Sequence, residues 1–356
     1  MFGEMEIRDI LIGRRRGLFP AAVRTILACL EPGYALAVAW RNRRFDRQRA
    51  LVHRVAVPVI SVGNLTVGGT GKTPMVAWLA RWFRQRGLRV ALVSRGYRAE
   101  AGARNDEALE LERQLPDVPH LLNADRVAAA RTAIEEFETE LIILDDAFQH
   151  RRIARDLDIV LIDALDPFGS SHLLPRGLLR EPLSSLKRAD MVVLTRRDLV
   201  PPEERQRVRE ELARFLPTAC WAEAVHRPQS LLTWPDSVRA LDALANAPVA
   251  GFCGIGNSEG FRQTLMSSGM QLLGFRPFPD HHAYGRKDLD SLSEWAVRIG
   301  AAALVCTQKD LVKIQVSQLN QVPLYGLLAG MEIVMGRELI ESALLHLLQS
   351  AQARAR

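Results

Sequence analysis

The chain has 356 residues, 48% hydrophobic and 25% charged, so it is long enough for two folded domains and has the composition of a folded protein. Its net charge is +6, and residues 1–54 account for all of it with eleven arginines against five acids. The remaining body is neutral, which argues against a nucleic-acid groove spread over the fold. Four cysteines are scattered without metal-ligand spacing, as expected for free thiols.

The N-terminal segment, residues 1–54, combines apolar and arginine-rich blocks. Two apolar runs flank Glu31-Pro32-Gly33, which predicts a helical hairpin broken at that point. Because charged residues interrupt the apolar runs, no uncharged stretch approaches the roughly 20 residues that span a bilayer, and no secretory cleavage pattern follows. Arginine flanks and aromatic ends favour a segment lying in the interface of an anionic leaflet. A hairpin packed on the core with solvated arginines is the alternative.

The stretch from Ser61 to Pro74 carries the clearest chemical signal. It follows an apolar run that predicts a buried strand, and the apolar spacing after it predicts a helix over 74–86. A strand, a glycine-rich turn ending in Gly-Lys-Thr and a helix make a phosphate-binding loop (P-loop), whose backbone N–H groups surround phosphate oxygens. The residues predicted to bind a nucleoside triphosphate are Thr66, Val67, Gly68, Gly69, Thr70, Gly71, Lys72 and Thr73. Lys72 would reach the terminal phosphates, the Thr73 hydroxyl would bind Mg2+, and Thr66 stands where the strict pattern has glycine.

Short apolar runs alternate with helical stretches through the middle of the chain. Strands are predicted at 59–62, 89–94, 141–144, 159–162 and 191–195, and helices at 74–86, 106–114, 124–137 and 202–215. This alternation indicates an α/β fold of the P-loop NTPase type, with a parallel sheet covered by helices on both faces.

The pattern changes after about residue 218. Further strands are predicted at 249–254, 271–275, 303–306 and 324–328, and helices at 258–268, 287–299 and 336–350. They indicate a second, smaller α/β domain. Its C-terminal helix could pack back on this domain or on the preceding one. The predicted division is therefore 1–54 for the membrane-associating segment, 55–217 for the P-loop core and 218–356 for the smaller domain.

The second chemical landmark is Asp145-Asp146, at the end of the predicted strand 141–144. An acid at a strand end is the usual partner of a P-loop, because it places a carboxylate near Mg2+. Helix-capping or loop carboxylates are the alternative. Two adjacent acids also favour a nearby metal ion or arginine.

Six strings, taken in order, carry a resemblance to one family. They are Ser61–Pro74, Ser94-Arg95-Gly96-Tyr97, Asp145-Asp146-Ala147-Phe148-Gln149-His150, Leu174–Pro182, Gly254-Ile255-Gly256-Asn257 and Phe278-Pro279-Asp280-His281-His282. Together they resemble tetraacyldisaccharide 4'-kinase, the lipid A 4'-kinase of Gram-negative bacteria, over nearly the whole chain. The resemblance implies transfer of the ATP γ-phosphate to the 4'-hydroxyl of a tetraacyldisaccharide 1-phosphate, giving lipid IVA in lipid A biosynthesis. It also implies Mg2+ as cofactor and a peripheral location at the cytoplasmic face of the inner membrane.

The resemblance assigns roles position by position. Asp106 would orient or deprotonate the 4'-hydroxyl, with His281 from the smaller domain as its partner and His282 as the alternative. Lys72 would act on the transferred phosphate. The remaining assignments are Gln149 near the nucleotide, Asp145 and Asp146 on the metal side with Thr73, and Glu107, Arg126, Arg180 and Glu181 as substrate contacts. Read without the family, Asp106 and Glu107 are acids at a helix start, where the helix dipole favours them, and the two histidines are packing residues of a loop.

Two other classes of protein compete with the kinase. A P-loop GTPase or ATPase switch acting on a protein partner would use Thr195-Arg196-Arg197-Asp198, which loosely resembles the guanine-reading signature with arginine in the lysine position. A nucleic-acid-binding ATPase would show steeply salt-dependent binding. We expect neither nucleic-acid binding nor an obligate protein partner.

Overall fold

The computed structural model describes residues 10–11, 15, 17–48, 51–96, 106–216, 220–235, 237–280 and 282–355, without the side chains of residues 106, 107 and 355. The chain divides into two compact units. We call Glu6–Val225 with Ile333–Arg356 the P-loop unit, and His226–Glu332 the second unit. The domain boundaries predicted after residues 54 and 217 stay predictions.

Helices and strands alternate along most of the described chain. The P-loop unit contains α1 Leu18–Arg47, β1 Val59–Asn64, α2 Lys72–Arg84, β2 Val90–Ser94, α3 Asp106–Gln114, β3 His120–Leu122, α4 Arg126–Phe137, β4 Leu141–Asp145, β5 Leu157–Asp163, β6 Met191–Thr195 and α5 Pro202–Ala213. The elements that follow are β7 Cys220–Thr233, β8 Ser237–Arg239, β9 Pro248–Cys253, α6 Ser258–Met266, β10 Gln271–Pro277, α7 Arg286–Arg298, β11 Ala303–Thr307, α8 Gln308–Ile314, β12 Gln318–Leu319, β13 Val322–Met335 and α9 Arg337–Ala355. The chain passes between the two units within β7 and again within β13.

The sheet of the P-loop unit is parallel, in the order β7-β6-β5-β1-β4-β2-β3. Every residue of β1, β2, β4 and β6 is buried, so both faces of the sheet are covered. β1 lies between β4 and β5, with Val62 opposite Asp145. The P-loop and the acidic strand end therefore meet at the carboxyl edge of the sheet, and the predicted P-loop α/β fold is confirmed.

The second unit is built around a smaller parallel sheet in the order β10-β9-β11-β13. Helix α6 packs Phe261 and Leu265 against β9 and β11 residues such as Val249 and Val305. Helix α7 contributes Leu292 and Ala296 to a neighbouring apolar cluster. This unit is the second α/β element that the sequence predicted.

The N-terminal segment differs from the prediction. The break predicted at Glu31-Pro32-Gly33 is wrong, because α1 continues through these residues for 30 residues with Pro32 inside it. A proline inside a helix removes one backbone hydrogen bond and costs about 3 kcal/mol. Here Glu31 accepts a hydrogen bond from the amide of Leu173 at 2.7 Å, and the Tyr34 hydroxyl donates to the carbonyl of Arg180 at 3.0 Å. These contacts hold the helix on both sides of the proline and override local propensity.

Helix α1 is otherwise mostly exposed, and its exposed residues up to Trp40 are predominantly apolar. Val38 is its buried residue, whereas Leu36 and Trp40 are 72% and 68% exposed. Other large apolar residues exposed along it are Leu18, Phe19, Ile26 and Leu30. By length and composition α1 is able to cross a membrane, a test that signal sequences and buried core helices also pass.

A substitution at Gly63 of β1 tests how tightly this strand packs against Phe148. A Cβ atom on Gly63 would lie 2.6 Å from the backbone nitrogen of Phe148, whereas one on Gly33 of α1 would meet no atom within 4 Å. We expect Gly63→Ala to lower the free energy of unfolding by about 1–3 kcal/mol, because the Phe148 backbone must move. Gly33→Ala, the matched control, raises helix propensity and is expected to be neutral or stabilising. Urea unfolding measures both, and equal effects would contradict the close packing.

Candidate active site

The P-loop runs from the end of β1 to the start of α2. Gly68 and Gly71 have φ angles of +128° and +91°, which side-chain-bearing residues rarely adopt. Gly71 precedes the first turn of α2, and no side chain caps that helix start. The backbone N–H groups of a helix's first turn have no partner within the helix and favour an anion. This geometry is that of a phosphate cradle.

Lys72, the first residue of α2, lies between an amide and a carboxylate. Its Nζ atom is 3.4 Å from Oδ1 of Asn64 and 3.6 Å from Oδ1 of Asp146. Asn64 is fully buried, donates to the carbonyl of Thr66 at 2.8 Å and accepts from Gln149 through its own carbonyl at 2.8 Å. Sequence reasoning missed Asn64, although a polar residue ending a buried strand before a glycine-rich turn was a usable signal.

Asp146 is the carboxylate around which the cations gather. Its φ of +48° is unusual for a residue other than glycine and turns the chain sharply after β4. The Arg180 guanidinium donates to both of its oxygens, at 2.9 and 3.0 Å. Burial acts to raise the pKa of Asp146, but the charges of Lys72 and Arg180 outweigh burial and lower the pKa to about 2. Asp146 is therefore ionised at any physiological pH.

Arg126 supports the same turn from below. Its side chain is buried and donates to the carbonyls of Asp145 and Asp146 at 3.2 and 3.1 Å. Burial lowers the pKa of Arg126, and the neighbouring Asp146 and Asp145 charges oppose that shift. The cations Lys72, Arg126 and Arg180 thus surround two carboxylates, which leaves the cluster net positive and suited to a polyphosphate.

The predicted metal ligands are oxygen donors at this edge of the sheet. Asp145 is the last residue of β4, Asp146 follows it, and Thr73 lies in the first turn of α2. Within the described ranges, no cluster of three or more histidine, cysteine or acidic side chains could hold a metal by itself. A hydroxyl and one or two carboxylates fit Mg2+, which keeps several waters and completes its shell with substrate phosphates.

The end of β6 braces the P-loop. The Thr195 hydroxyl donates to the carbonyl of Thr70 at 3.0 Å. Arg196 donates to the carbonyl of Gly69 at 2.7 Å and is ion-paired with Asp163, at the end of β5. Arg196, noted in the sequence as standing in the lysine position of a guanine-reading signature, thus contacts the loop backbone.

The structure does not bring all of the predicted site residues together. Glu181 is fully buried and ion-paired with Arg41 and Arg188. Asp106 and Glu107 begin α3, but their side chains lie outside the description, as does all of His281. Neighbouring His282 is 3.1 Å from the Asp288 carboxylate and packs against Phe278 and Tyr284.

The parallel sheet, the glycine-rich loop and the acidic strand end define a P-loop phosphotransferase. The family model described as LpxK, tetraacyldisaccharide-1-P 4'-kinase, matches residues 23–349. The chain belongs to this tetraacyldisaccharide-1-phosphate 4'-kinase family. The resemblance stated from the motifs is confirmed, and the alternative of a GTPase switch is not favoured.

Individual relatives agree with the family model. The tetraacyldisaccharide 4'-kinase of Anaeromyxobacter dehalogenans strain 2CP-C is 39% identical over 317 residues, covering 84% of each chain. That of Desulfatibacillum aliphaticivorans is 37% identical over 333 residues, covering 86% of this chain and 88% of the relative. The solved structure of LpxK from Aquifex aeolicus, described as an "apo" form in complex with ATP, aligns with a TM-score of 0.71 at 29% identity. That alignment covers 92% of this chain and 99% of the other.

The low pKa of Asp146 predicts how its contribution to stability depends on pH. A depressed pKa means that the contribution is fully present above the unfolded-state value near 3.8 and is lost as pH falls through about 2. We therefore expect Asp146→Asn to lower the free energy of unfolding, by an amount on the order of 1 kcal/mol after solvent screening, equally at pH 5 and pH 8. Urea titrations at the two pH values measure it. A loss that shrinks between pH 8 and pH 5 would refute the assigned pKa, and Asp117→Asn, in an exposed pair with Arg84, is the control.

Proposed function

We propose that the chain transfers the γ-phosphate of ATP to the 4'-hydroxyl of a tetraacyldisaccharide 1-phosphate, giving lipid IVA in lipid A biosynthesis. Membership of the family supports this reaction. The observation that carries it is the position of Lys72, held beside Asp146 at the carboxyl edge of β1 and β4. In a P-loop kinase, the phosphates of the nucleoside triphosphate bind at this position and their charge is neutralised there.

ATP would bind with its phosphates in the cradle from Thr66 to Thr73. Lys72 would exchange its contact with Asp146 for the β- and γ-phosphates, and Gln149 would keep the loop entrance in place through the carbonyl of Asn64. Thr73, Asp145 and Asp146 would hold Mg2+, which neutralises phosphate charge when bound. In a loose transition state, charge neutralisation and positioning contribute more than an early proton transfer.

The acceptor hydroxyl requires a base or an orienting group, for which we propose Asp106 with His281 as its partner. Asp106 is the first residue of α3, in the same unit as the P-loop. Arg180, whose Nη1 donates to both oxygens of Asp146, would contact an acceptor phosphate, since a guanidinium can donate to two phosphate oxygens at once. Glu107, Arg126 and Glu181 remain proposed substrate contacts, although Arg126 and Glu181 are buried by protein partners in the described structure.

The membrane would supply the acceptor, and α1 would hold the enzyme there. One side of α1 is bonded to residues 172–181 through Glu31, Tyr34 and Arg41. A membrane-spanning helix could not keep these contacts, which favours an interfacial position with the exposed apolar side in the leaflet. The exposed arginines near its C-terminal end, Arg43, Arg44 and Arg47, suit anionic lipid. Since ATP is cytoplasmic, we place the enzyme at the cytoplasmic face of the inner membrane.

Labelled ATP tests the reaction directly. Purified protein is incubated with [γ-32P]ATP or GTP and tetraacyldisaccharide 1-phosphate in mixed micelles. We expect label to move from ATP to the lipid, and Asp106→Ala to slow this transfer by about 10²- to 10⁴-fold while ATP binding persists. Lys72→Ala is expected to lose a comparable factor through lost charge stabilisation.

Glu136→Ala, at an exposed acid of α4, serves as the matched control and is expected to behave as wild type. Steady GTP hydrolysis without labelled lipid would refute the kinase. Transfer near the wild-type rate in Asp106→Ala would remove Asp106 from the catalytic role.

Vesicle flotation tests the membrane surface. A variant with Ile26→Asp, Leu36→Asp and Trp40→Asp places charges on the exposed side of α1, and we expect it to stop floating with anionic vesicles. Val297→Asp, at an apolar residue of α7 that is 66% exposed, is the control and is expected to float normally. Equal flotation of the triple variant and wild type would overturn the docking proposal.

A further inference from the structure

A segment between β5 and β6, residues 169–181, connects the P-loop to the N-terminal helix; we call it the strap. On one side it pairs with the first residues of the loop. The amide of Arg180 donates to the carbonyl of Leu65 at 2.7 Å, and the amide of Val67 donates to the carbonyl of Leu178 at 2.8 Å. Between these bonds, Thr66 forms an antiparallel bridge with Leu179. The strap therefore holds the loop entrance in an extended, strand-like conformation.

The residue at position 66 fits this pairing. A Cβ atom on Gly169 of the strap would lie 2.8 Å from Cγ2 of Thr66, so the threonine methyl group packs directly against a glycine. Threonine favours extended, paired backbone, whereas glycine has the least such preference. The departure from the strict P-loop pattern thus stabilises the contact with the strap.

On its other side the strap is bonded to α1. The Glu31 carboxylate accepts a hydrogen bond from the amide of Leu173 at 2.7 Å and lies 3.1 Å from Nδ1 of His172. The Tyr34 hydroxyl donates to the carbonyl of Arg180 at 3.0 Å. All of these residues belong to the P-loop unit.

Arg180 is the residue where both sides meet. Its carbonyl accepts from Tyr34 of α1, its amide donates to Leu65 of the loop entrance, and its guanidinium binds Asp146 beside Lys72. A displacement of α1 would therefore shift Arg180, and through it both the backbone of the loop entrance and the carboxylate of Asp146. A loop that is already ordered binds its ligand more tightly, because less ordering accompanies binding.

We propose that Glu31 and Tyr34 are positioning residues for the P-loop. Through the strap they hold the loop entrance in its phosphate-binding conformation, so the helix that docks on the membrane also sets the affinity for ATP. This inference rests on the proposed function, since it takes ATP as the ligand of the loop.

Four variants of the full-length protein test the inference. Glu31→Ala removes the acceptor for the Leu173 amide, and Tyr34→Phe removes only a hydroxyl. We expect each to raise the Kd and the KM for ATP by about two- to tenfold, with kcat near wild type, as for the loss of one or two hydrogen bonds. Glu31→Gln keeps an oxygen acceptor and is expected to restore most of the affinity. Thr25→Ala is the matched control on α1, because the Thr25 hydroxyl is exposed and donates within the helix to Ala21.

ATP affinity is measured by calorimetry, and KM and kcat by lipid phosphorylation in mixed micelles at saturating acceptor. Thermal unfolding without nucleotide identifies a variant that fails to fold, in which case the conservative Tyr34→Phe decides. Wild-type affinity in both Tyr34→Phe and Glu31→Ala would overturn the inference, as would an equal loss in Thr25→Ala. A wild-type protein that does not bind ATP would instead refute the proposed function.

Discussion

The carboxylate of Asp146 is the interaction on which the rest of the site depends. Three cations, Lys72, Arg126 and Arg180, come from α2, α4 and the strap, and they would repel one another without it. Asp146 lies among them because β4 runs beside β1 and because its own φ of +48° turns the chain there. Arg126 holds that turn through the carbonyls of Asp145 and Asp146. The cations are thus already assembled when a triphosphate arrives, so their mutual repulsion does not have to be overcome during binding.

The topology explains why motifs far apart in sequence act together. In a parallel sheet all carboxyl ends lie at one edge, so β1, β4, β5 and β6 deliver the P-loop, Asp145, Asp163 and Thr195 to the same place. Hydrogen bonds then hold the loop on two sides. The strap is hydrogen-bonded to the loop entrance. The side chains of Thr195 and Arg196 donate to the carbonyls of Thr70 and Gly69. Such bracing fixes a glycine-rich segment that would otherwise be conformationally free.

Sequence reasoning was most accurate for elements whose burial follows from a local pattern of apolar residues. Apolar runs placed β1, β4 and β6 within a few residues, since fully buried parallel strands are recognisable by composition. It failed where tertiary contacts decide. Pro32 read as a break, but Glu31 and Tyr34 bond to the strap on either side of it. Strand β7 was not predicted, and it contains Pro228, a residue type that is uncommon inside strands. The burial of Glu181 between Arg41 and Arg188 depends on partners at distant positions, which no local pattern reveals.

The two sides of α1 differ in polarity, and this difference limits how α1 could dock on a bilayer as proposed. The side with Glu31 and Tyr34 is hydrogen-bonded to the strap, whereas the side with Leu36 and Trp40 is exposed and apolar. Inserting the whole helix would break these hydrogen bonds in a medium that offers no replacement partners. Each polar group left without a partner would then cost free energy. Shallow docking through the apolar side alone keeps them. Because the strap and the P-loop belong to the same unit as α1, the proposed docking would also hold the phosphate site at a fixed position relative to the membrane surface.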